Sequence, residues 1–390
     1  MGLVRMATAA RKARVSLNSR QLNRATLDRQ MLLRRESVNV VDAVRRVGAL
    51  QAQEPASPYL ALWNRLADFD PAALATAFDE RTLVKATLMR LTLHVVHASD
   101  YPYFHAAMLP NLRGPRLGDR RFTVSGLSIA DADALLPHLA LFTSQPRAGA
   151  EVEEMLAARL GERKQGVWWA LRTYAPLHQV PTGGPWSFKT PSSYRAAPAT
   201  LAAENWSDSV QFLILRYLAA FGPASMLDIA QFTILKRSVV QNALKELGGS
   251  IETLAGPSGE MLFDVPVGRY PTEDAVAPPR LLPMWDSILL AYADRSRVIP
   301  PEYRSVILRR NGDVLPTLLI DGYVAGVWRP VEGGIEATAF HRLTSDEWDG
   351  LAAEAAALQS FLLDRDSAVY RRYEHWWSKD LPTADVRILT

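Results

Sequence analysis

One segment, residues 208–268, limits the possible folds more than any other. "DSVQFLILRYLAAFG" has apolar residues at helical spacing and ends at Gly222-Pro223, a helix stop. "SMLDIAQFT" follows with Ser225 as an N-cap, and "LKRSVVQNALKELGG" is a third amphipathic stretch closed by two glycines. "SIETLAGPSGEMLFDV" then predicts two strands joined by a Gly-Pro-Ser-Gly turn. The predicted order is helix, short helix, helix and hairpin.

That order is typical of the winged-helix variant of the helix-turn-helix, and it occurs twice more. Residues 128–190 contain three helical stretches and the hairpin segment "HQVPTGGPWSF", and residues 17–100 form a looser copy that ends with "TLVKATLMRLTLHVVHA". The copies agree in pattern and not in letters, so the pattern does not establish common ancestry. Three such units favour DNA as the partner, although winged helices also serve as protein–protein scaffolds.

The composition changes after a linker rich in proline and acidic residues, "YPTEDAVAPP". The β-rich runs "SILLAYA", "SVILRR", "TLLIDG", "YVAGVWRP" and "GIEATAFHRL" are separated by turns such as Asn311-Gly312 and Asp321-Gly322. They predict a small barrel or a strongly curved sheet, and "SDEWDGLAAEAAALQSFL" predicts a helix packed on it.

The sequence therefore predicts an α+β protein of three tandem winged helices followed by a small C-terminal β-barrel and a terminal helix. The expected divisions are a disordered basic arm at 1–15, winged helices at 16–125, 126–205 and 206–270, and the barrel with its helix at 278–390.

Composition excludes several classes of protein. The 390 residues contain no cysteine, which excludes disulfides, thiolate chemistry and metal sites built on sulfur. No apolar run reaches the ~18 residues that a bilayer span needs, and the basic start lacks the apolar core of a secretion signal. We expect a cytoplasmic protein. Only 7 of the 44 basic residues are lysines, but a GC-rich coding sequence would also favour arginine, so this bias is weak support for nucleic acid.

Two neutral amides, Gln51 and Gln53, lie where an apolar helical stretch runs out, and Pro55 follows them. In an extended segment residues i and i+2 face the same way, and Pro55 disfavours helix at Glu54. Two side-chain carbonyls on one side can accept both protons of a single water and hold it. The residues alone leave open a plainer interpretation, in which both glutamines bond to backbone or lie in solvent.

The chain resembles the winged-helix DNA glycosylases of the AlkZ type. The likeness covers nearly the whole chain and includes "VGALQAQEPASPYLALWNRL", "LMRLTLHVVHASDY", "LLPMWDSILLAYADRSRVIP" and "GDVLPTLLIDGYVAGVWR". The catalytic signature of that family is glutamine, an apolar residue, then glutamine or aspartate, and it falls here on Gln51, Ala52 and Gln53. Alanine is small for the middle place. Glutamine at 53 groups the chain with the branch that confers self-resistance to the DNA-alkylating natural product azinomycin B.

The resemblance implies three tandem winged helices in a C shape and a monofunctional glycosylase that removes bulky N7-alkylated guanine. Gln51 and Gln53 would be catalytic, and Arg90 and His94 would lie beside them as DNA contacts, although the residues themselves favour a hydrogen-bonded structural role for His94. A barrel hairpin would enter a groove, for which "ADRSRVIPPEYRS" with Arg295 and Arg297 is the candidate, although a solvated turn explains this segment equally well. The expected partner is double-stranded DNA carrying an alkylated guanine, bound by a monomer without a cofactor, metal or membrane. Whether interstrand crosslinks are accepted stays open.

Other chemistry-bearing residues have simpler interpretations. His94 and His97 on a strand face opposite ways, which disfavours a shared metal. Asp286 and Asp294 match the carboxylate pair of a hydrolase, but their positions at strand ends favour caps or salt bridges. A second functional class also fits the pattern: a non-catalytic winged-helix regulator, or a protein that binds the genotoxin itself.

Overall fold

The structure is a computed structural model that describes residues 15–198, 205–266 and 270–390. The expected disordered arm lies outside these residues except for Val15. No described helix combines the length and apolarity that a bilayer crossing needs.

The first part of the chain carries the predicted hairpin and one long helix that the sequence analysis missed. Its elements are α1 (Ser19–Arg29), α2 (Val40–Val47), β1 (Leu50–Gln51), α3 (Ala56–Trp63), α4 (Pro71–Asp79), β2 (Leu83–Thr87), β3 (Leu93–His97), α5 (Tyr101–Leu117) and α6 (Arg120–Thr123). Helix α5 was missed because it contains Pro110 and Pro115, which normally disfavour a helix interior. It packs along α10 and α11, described next, so tertiary contacts outweigh its low propensity.

The second part follows the predicted order with two differences. Its elements are α7 (Ile129–Ala134), α8 (Leu136–Phe142), β4 (Arg147–Ala148), α9 (Gly149–Leu160), α10 (Val167–Tyr174), β5 (Leu177–Val180) and β6 (Ser193–Ala196). The single helix expected over 128–142 is two, because Pro137 begins a new helix. The hairpin is also wider than expected, since its second strand starts only at Ser193.

The third part agrees with the sequence analysis in every element. It contains α11 (Trp206–Phe221), α12 (Met226–Thr233), α13 (Arg237–Leu247), β7 (Glu252–Ala255) and β8 (Met261–Asp264). Ser225 caps α12 as predicted, in a reciprocal capping box with Asp228.

The C-terminal part is a five-stranded antiparallel sheet covered by a helix. Its elements are β9 (Arg280–Leu282), α14 (Arg304–Ile307), β10 (Thr317–Ile320), β11 (Tyr323–Val331), β12 (Gly334–Ala339), α15 (Ser345–Leu363) and β13 (Asp385–Leu389). The strand order β13-β12-β11-β10-β9 leaves two edges, so this is an open sheet and not a closed barrel. The strands predicted for "SILLAYA" and "SVILRR" are wrong: the first forms a 3₁₀ turn at Ser287–Leu289, and the second forms α14.

One sheet joins the first two parts and positions the glutamines. Its order is β1-β3-β2-β5-β6-β4, with Lys85 of β2 opposite Gln179 of β5. Strand β1 lies at its edge, where Gln51 pairs with His94 of β3. The two predicted wings therefore form one continuous surface beside Gln51.

The buried side chains form two large clusters that do not follow the predicted domain boundaries. One cluster joins the first part of the chain to the C-terminal sheet and includes Tyr59, Leu318 and Trp328. The other packs the hairpin of the first part against the second and third parts and includes Phe104 and Tyr217. Strand β3 contributes to both, through Val95 and Val96 respectively. The site is thus built where both cores meet.

Candidate active site

A short extended segment carries both glutamines. Helix α2 ends at Gly48, whose φ of 81° suits glycine and whose missing side chain lets Ala220 approach. The chain then pairs with β3, and the Ala52 N–H donates to the Leu93 carbonyl at 2.7 Å. Pro55 directly precedes α3. The extended conformation predicted for this segment is confirmed at Gln51, which belongs to β1.

The turn between β2 and β3 holds both amides. Arg90 donates through Nη2 to Gln51 Oε1 at 2.5 Å, and the Leu93 backbone N–H donates to Gln53 Oε1 at 2.9 Å. Gln51 is 5% exposed and Gln53 is exposed. These hydrogen bonds fix the direction of each amide. Because a carbonyl oxygen has two lone pairs, each one keeps a second acceptor position.

The turn has an unusual backbone. Arg90 and Leu91 have φ of 53° and 59°, left-handed values that cost non-glycine residues energy. The Leu88 N–H donates to the Thr92 carbonyl and the Thr92 N–H to the Met89 carbonyl, which hold this conformation. Such strain persists where the surroundings impose it, and here it aims the Arg90 side chain at Gln51.

His94 supports the turn from inside the protein. Its side chain is fully buried, Nδ1 donates to the Thr92 carbonyl at 3.0 Å, and Nε2 lies 3.5 Å from Arg90 Nη2. Burial, reinforced by the charge of Arg90, lowers the pKa of His94 to about 3. His94 is therefore neutral and accepts from Arg90. His94 has no exposed surface in this structure, which favours its interpretation as a hydrogen-bonded structural residue over a DNA contact.

Arg90 and Arg295 bring two positive charges close together behind the glutamines. Burial, followed by the charge of Arg295, lowers the pKa of Arg90 to about 9. Arg90 Nη1, Arg295 Nε and Arg295 Nη1 are buried without a hydrogen-bond partner among the described residues. The guanidinium of Arg90 also lies 4.8 Å from the ring centre of Phe232. Arg90 is therefore restrained from two sides.

The segment expected to probe a DNA groove has a different form. Residues 295–303 make two 3₁₀ turns, Arg295–Arg297 and Pro301–Tyr303, and no hairpin. Arg295 is only 8% exposed. Arg297 donates to the Pro223 carbonyl at 2.7 Å and lies over the Tyr292 ring. In this conformation Arg295 and Arg297 are packed against protein, which corrects the expected groove-entering hairpin.

An open cleft of about 250 Å³ adjoins Gln53. Its lining joins the β2–β3 turn to α5, α10, β5 and β6, and it comprises Gln53, Ala86, Thr87, Leu91, Leu93, Arg116, Trp169, Arg172, Thr173, Leu177, Gln179, Ser192 and Tyr194. The sequence analysis missed Arg116 and Arg172 because α5 was not predicted. Trp169, which also lines the cleft, is partly exposed.

No carboxylate among the described residues bonds to either glutamine amide. Glu54 follows Gln53 but pairs with Arg372 at 2.7 Å and accepts from Tyr373. Asp286 is a buried partner of Arg65, and Asp294 caps a turn by accepting from the Ser296 N–H, so their structural interpretation is confirmed. The site therefore offers fixed amides and guanidinium groups, with no ionisable base in contact.

The fold is shared with a solved DNA glycosylase. The solved structure of the Streptomyces sahachiroi DNA glycosylase AlkZ matches with a TM-score of 0.75 and 22% identity, covering 88% of this chain and 96% of that one. A curated protein of the same organism, the interstrand DNA cross-link repair glycosylase, is 25% identical over a 340-residue alignment that covers 82% of this chain and 90% of the relative.

The family model described as "DNA glycosylase AlkZ-like" matches residues 44–361, which include both glutamines and the whole turn that holds them. The chain belongs to the AlkZ-like DNA glycosylase family, enzymes that act on N-glycosyl bonds in DNA.

Proposed function

We propose that this enzyme hydrolyses the N-glycosidic bond of guanine alkylated at N7 by a bulky group, with Gln51 and Gln53 positioning the attacking water. The observation that carries the proposal is the fixation of both amide carbonyls by Arg90 and the Leu93 N–H, with no carboxylate in contact. A relative named for interstrand crosslink repair supports a bulky lesion as substrate.

The neutral site fits a leaving group that is already activated. Guanine alkylated at N7 carries a positive ring charge and departs as a neutral base, so it needs no general acid. The sugar then develops oxocarbenium character, which carbonyl dipoles stabilise, and water must arrive opposite the base. Positioning of that water supplies several kcal/mol of the barrier reduction, whereas a general base adds only ~10²- to 10⁴-fold.

The hydrogen bond from Arg90 supports positioning in preference to base catalysis. A guanidinium donating to the Gln51 carbonyl withdraws electron density from it, so this oxygen is a weak base but a well-aimed acceptor. We assign Arg90 as a positioning residue for Gln51 and His94 as a positioning residue for Arg90. Arg295 then contributes positive potential that attracts DNA phosphates without touching them.

The openness of the cleft beside Gln53 supports a large lesion. Glycosylases that rotate a base into a tight pocket select small bases, whereas a bulky adduct requires a site that approaches it in place. Lesions of this kind arise from DNA-alkylating natural products, and we propose repair or self-resistance as the biological role.

The test uses a duplex with a single N7-alkylguanine, and a matched duplex with uracil at the same position. Wild type should create alkali-labile abasic sites only in the alkylated duplex, and Gln51→Ala/Gln53→Ala should lose at least ~100-fold in single-turnover rate. Gln211→Ala is the matched control, because this glutamine bonds to Glu246 on α13, apart from the site.

Comparable excision of uracil would overturn the account of a neutral dyad that needs a cationic base. Tight binding to one DNA sequence without base release would favour the alternative, a non-catalytic winged-helix regulator.

A further inference from the structure

The cleft beside Gln53 contains cations that the proposed hydrolysis does not use. Arg116 comes from the last turn of α5 and Arg172 from α10, and both line the cleft together with Gln53. None of the lining residues is acidic. The cleft is therefore electropositive immediately next to one of the two glutamines.

These two guanidinium groups lack partners that most other arginines of the protein have. Within the described residues neither donates a side-chain hydrogen bond or joins a salt bridge, and Arg116 Nε is buried without any acceptor. Arg121 differs: it lies over Trp169, as Arg116 does, but its N–H groups donate to Asp119 at 3.0 and 2.8 Å. Burial, together with the charges of Arg121 and Arg172, lowers the pKa of Arg116.

Trp169 fixes the direction of the Arg116 side chain. The Arg116 guanidinium carbon lies 4.4 Å from the Trp169 ring centre, and that of Arg121 lies 3.9 Å from it. A guanidinium that stacks uses its face and leaves its N–H edge free, and that edge matches the geometry of a phosphate. The tryptophan thus preorganises an unoccupied fork of donors.

We propose that Arg116 and Arg172 bind a backbone phosphate of the lesion-bearing strand in this cleft and so place the damaged nucleotide against Gln51 and Gln53. The inference rests on the proposed function for the identity of the lesion, but not for the binding itself. A neutral organic adduct would gain little from two unpaired cations. A phosphodiester supplies the missing acceptors and the opposite charge.

The experiment measures the affinity for a duplex that contains a tetrahydrofuran abasic analogue, a probe that requires no base excision. Arg172→Ala should reduce the slope of log affinity against log salt by about 1, because one fewer counterion is released. Arg387→Ala is the charge-matched control, since Arg387 pairs with Asp385 on β13, in the C-terminal sheet. It should leave the slope unchanged. Arg116→Gln, with its melting temperature recorded, provides a second variant in case burial makes Arg116→Ala unstable.

A double-mutant cycle identifies the phosphate. Single methylphosphonates are placed in turn on each side of the abasic analogue, which removes one backbone charge at a time. At one position wild type should lose roughly tenfold in affinity, Arg172→Ala should lose less because Arg116 remains, and Arg172→Ala/Arg116→Gln should lose nothing further. An unchanged salt slope, or additive losses at every position, would overturn the assignment. Non-additive binding in a protein that fails to excise alkylguanine would support this phosphate site while refuting the proposed dyad.

Discussion

Two buried arginine sites show opposite solutions to the same electrostatic problem. Arg65 and Asp286 are fully buried, and the two Nη atoms of Arg65 reach the two carboxylate oxygens at 2.8 and 2.9 Å. Arg90 and Arg295 have no carboxylate partner, three of their nitrogens lack any acceptor among the described residues, and each charge opposes the other.

The difference teaches which site serves stability and which is held ready for a ligand. A buried charge without a partner costs free energy, and proteins retain such groups mainly where function requires them. Arg65 lies just after α3 and joins it to the C-terminal part. Both of its Nη atoms donate to Asp286, so they are not available to a ligand. Arg90 is aimed by a strained turn at the Gln51 carbonyl, where the proposed reaction takes place.

The largest expected effect comes from breaking the buried pair of Arg65 and Asp286. Asp286→Ala should lower the free energy of unfolding by about 3–5 kcal/mol, because it leaves the Arg65 guanidinium buried without a counter-charge. Urea unfolding followed by circular dichroism measures this. Asp385→Ala removes one partner of an exposed pair and should cost no more than ~1 kcal/mol. Equal small losses in both variants would mean that the buried Arg65–Asp286 pair contributes no more to stability than an exposed pair.

The sequence predicted the local structure best where end signals and periodicity agree. Helices α11 to α13 and the β7–β8 hairpin have clear caps, glycines and a turn, and all were found. The apolar run "SILLAYA" was misread as a strand because Ser287, Ile288 and Leu289 are all buried and a run buried on every side has no period. Helix α5 was missed because its prolines outweigh its pattern locally, whereas its neighbours decide its structure.

The site was only partly accessible to sequence reasoning. Residues 51 and 53 drew attention because they are two apart, and the resemblance pointed to Arg90 and His94. The amino-acid sequence does not indicate that Arg90 reaches the Gln51 carbonyl, since that contact depends on two residues with left-handed backbone conformation in a turn. Arg116 and Arg172 are brought together only by the packing of α5 on α10, which local patterns do not encode.

The second expected effect concerns Arg90 and is measured through the rate of excision. Arg90→Met keeps the length and apolar contact of the side chain but removes the donor to Gln51, and it also relieves the repulsion with Arg295. We expect a ~100-fold loss in the single-turnover rate of alkylguanine excision, as for other preorganised donors. The free energy of unfolding should change by less than about 1 kcal/mol.

The pattern of kinetic losses separates positioning from DNA binding. If Arg90 acts through Gln51, the rate at saturating protein falls, while the dissociation constant for the abasic-analogue duplex changes little. The double variant Arg90→Met/Gln51→Ala should then be no slower than Gln51→Ala alone. A loss confined to affinity, or fully additive losses in rate, would assign Arg90 to DNA contact instead.

The smallest expected effect concerns His94, the neutral side chain behind Arg90, and it sharpens the comparison by adding pH. The pKa of His94 falls from 6.5 to about 3 on folding, so the unfolded chain binds a proton more readily than the native protein does. Stability from this group is complete above the unfolded pKa and is lost as pH falls through the window from about 6.5 to about 3. At pH 5.5 the loss is about 1.4 kcal/mol. His94→Gln should therefore show a shallower decline in unfolding free energy between pH 7.5 and 5.5 than wild type.

His178 supplies an internal control, because burial lowers its pKa to about 3 as well but it lies on β5, apart from Arg90. A variant at His178 should flatten the same curve without changing the excision rate, whereas His94→Gln should slow excision by releasing Arg90. Identical pH curves for wild type and His94→Gln would mean that His94 does not stay neutral against the arginine, and the ordered chain from Thr92 through His94 and Arg90 to Gln51 would have to be abandoned.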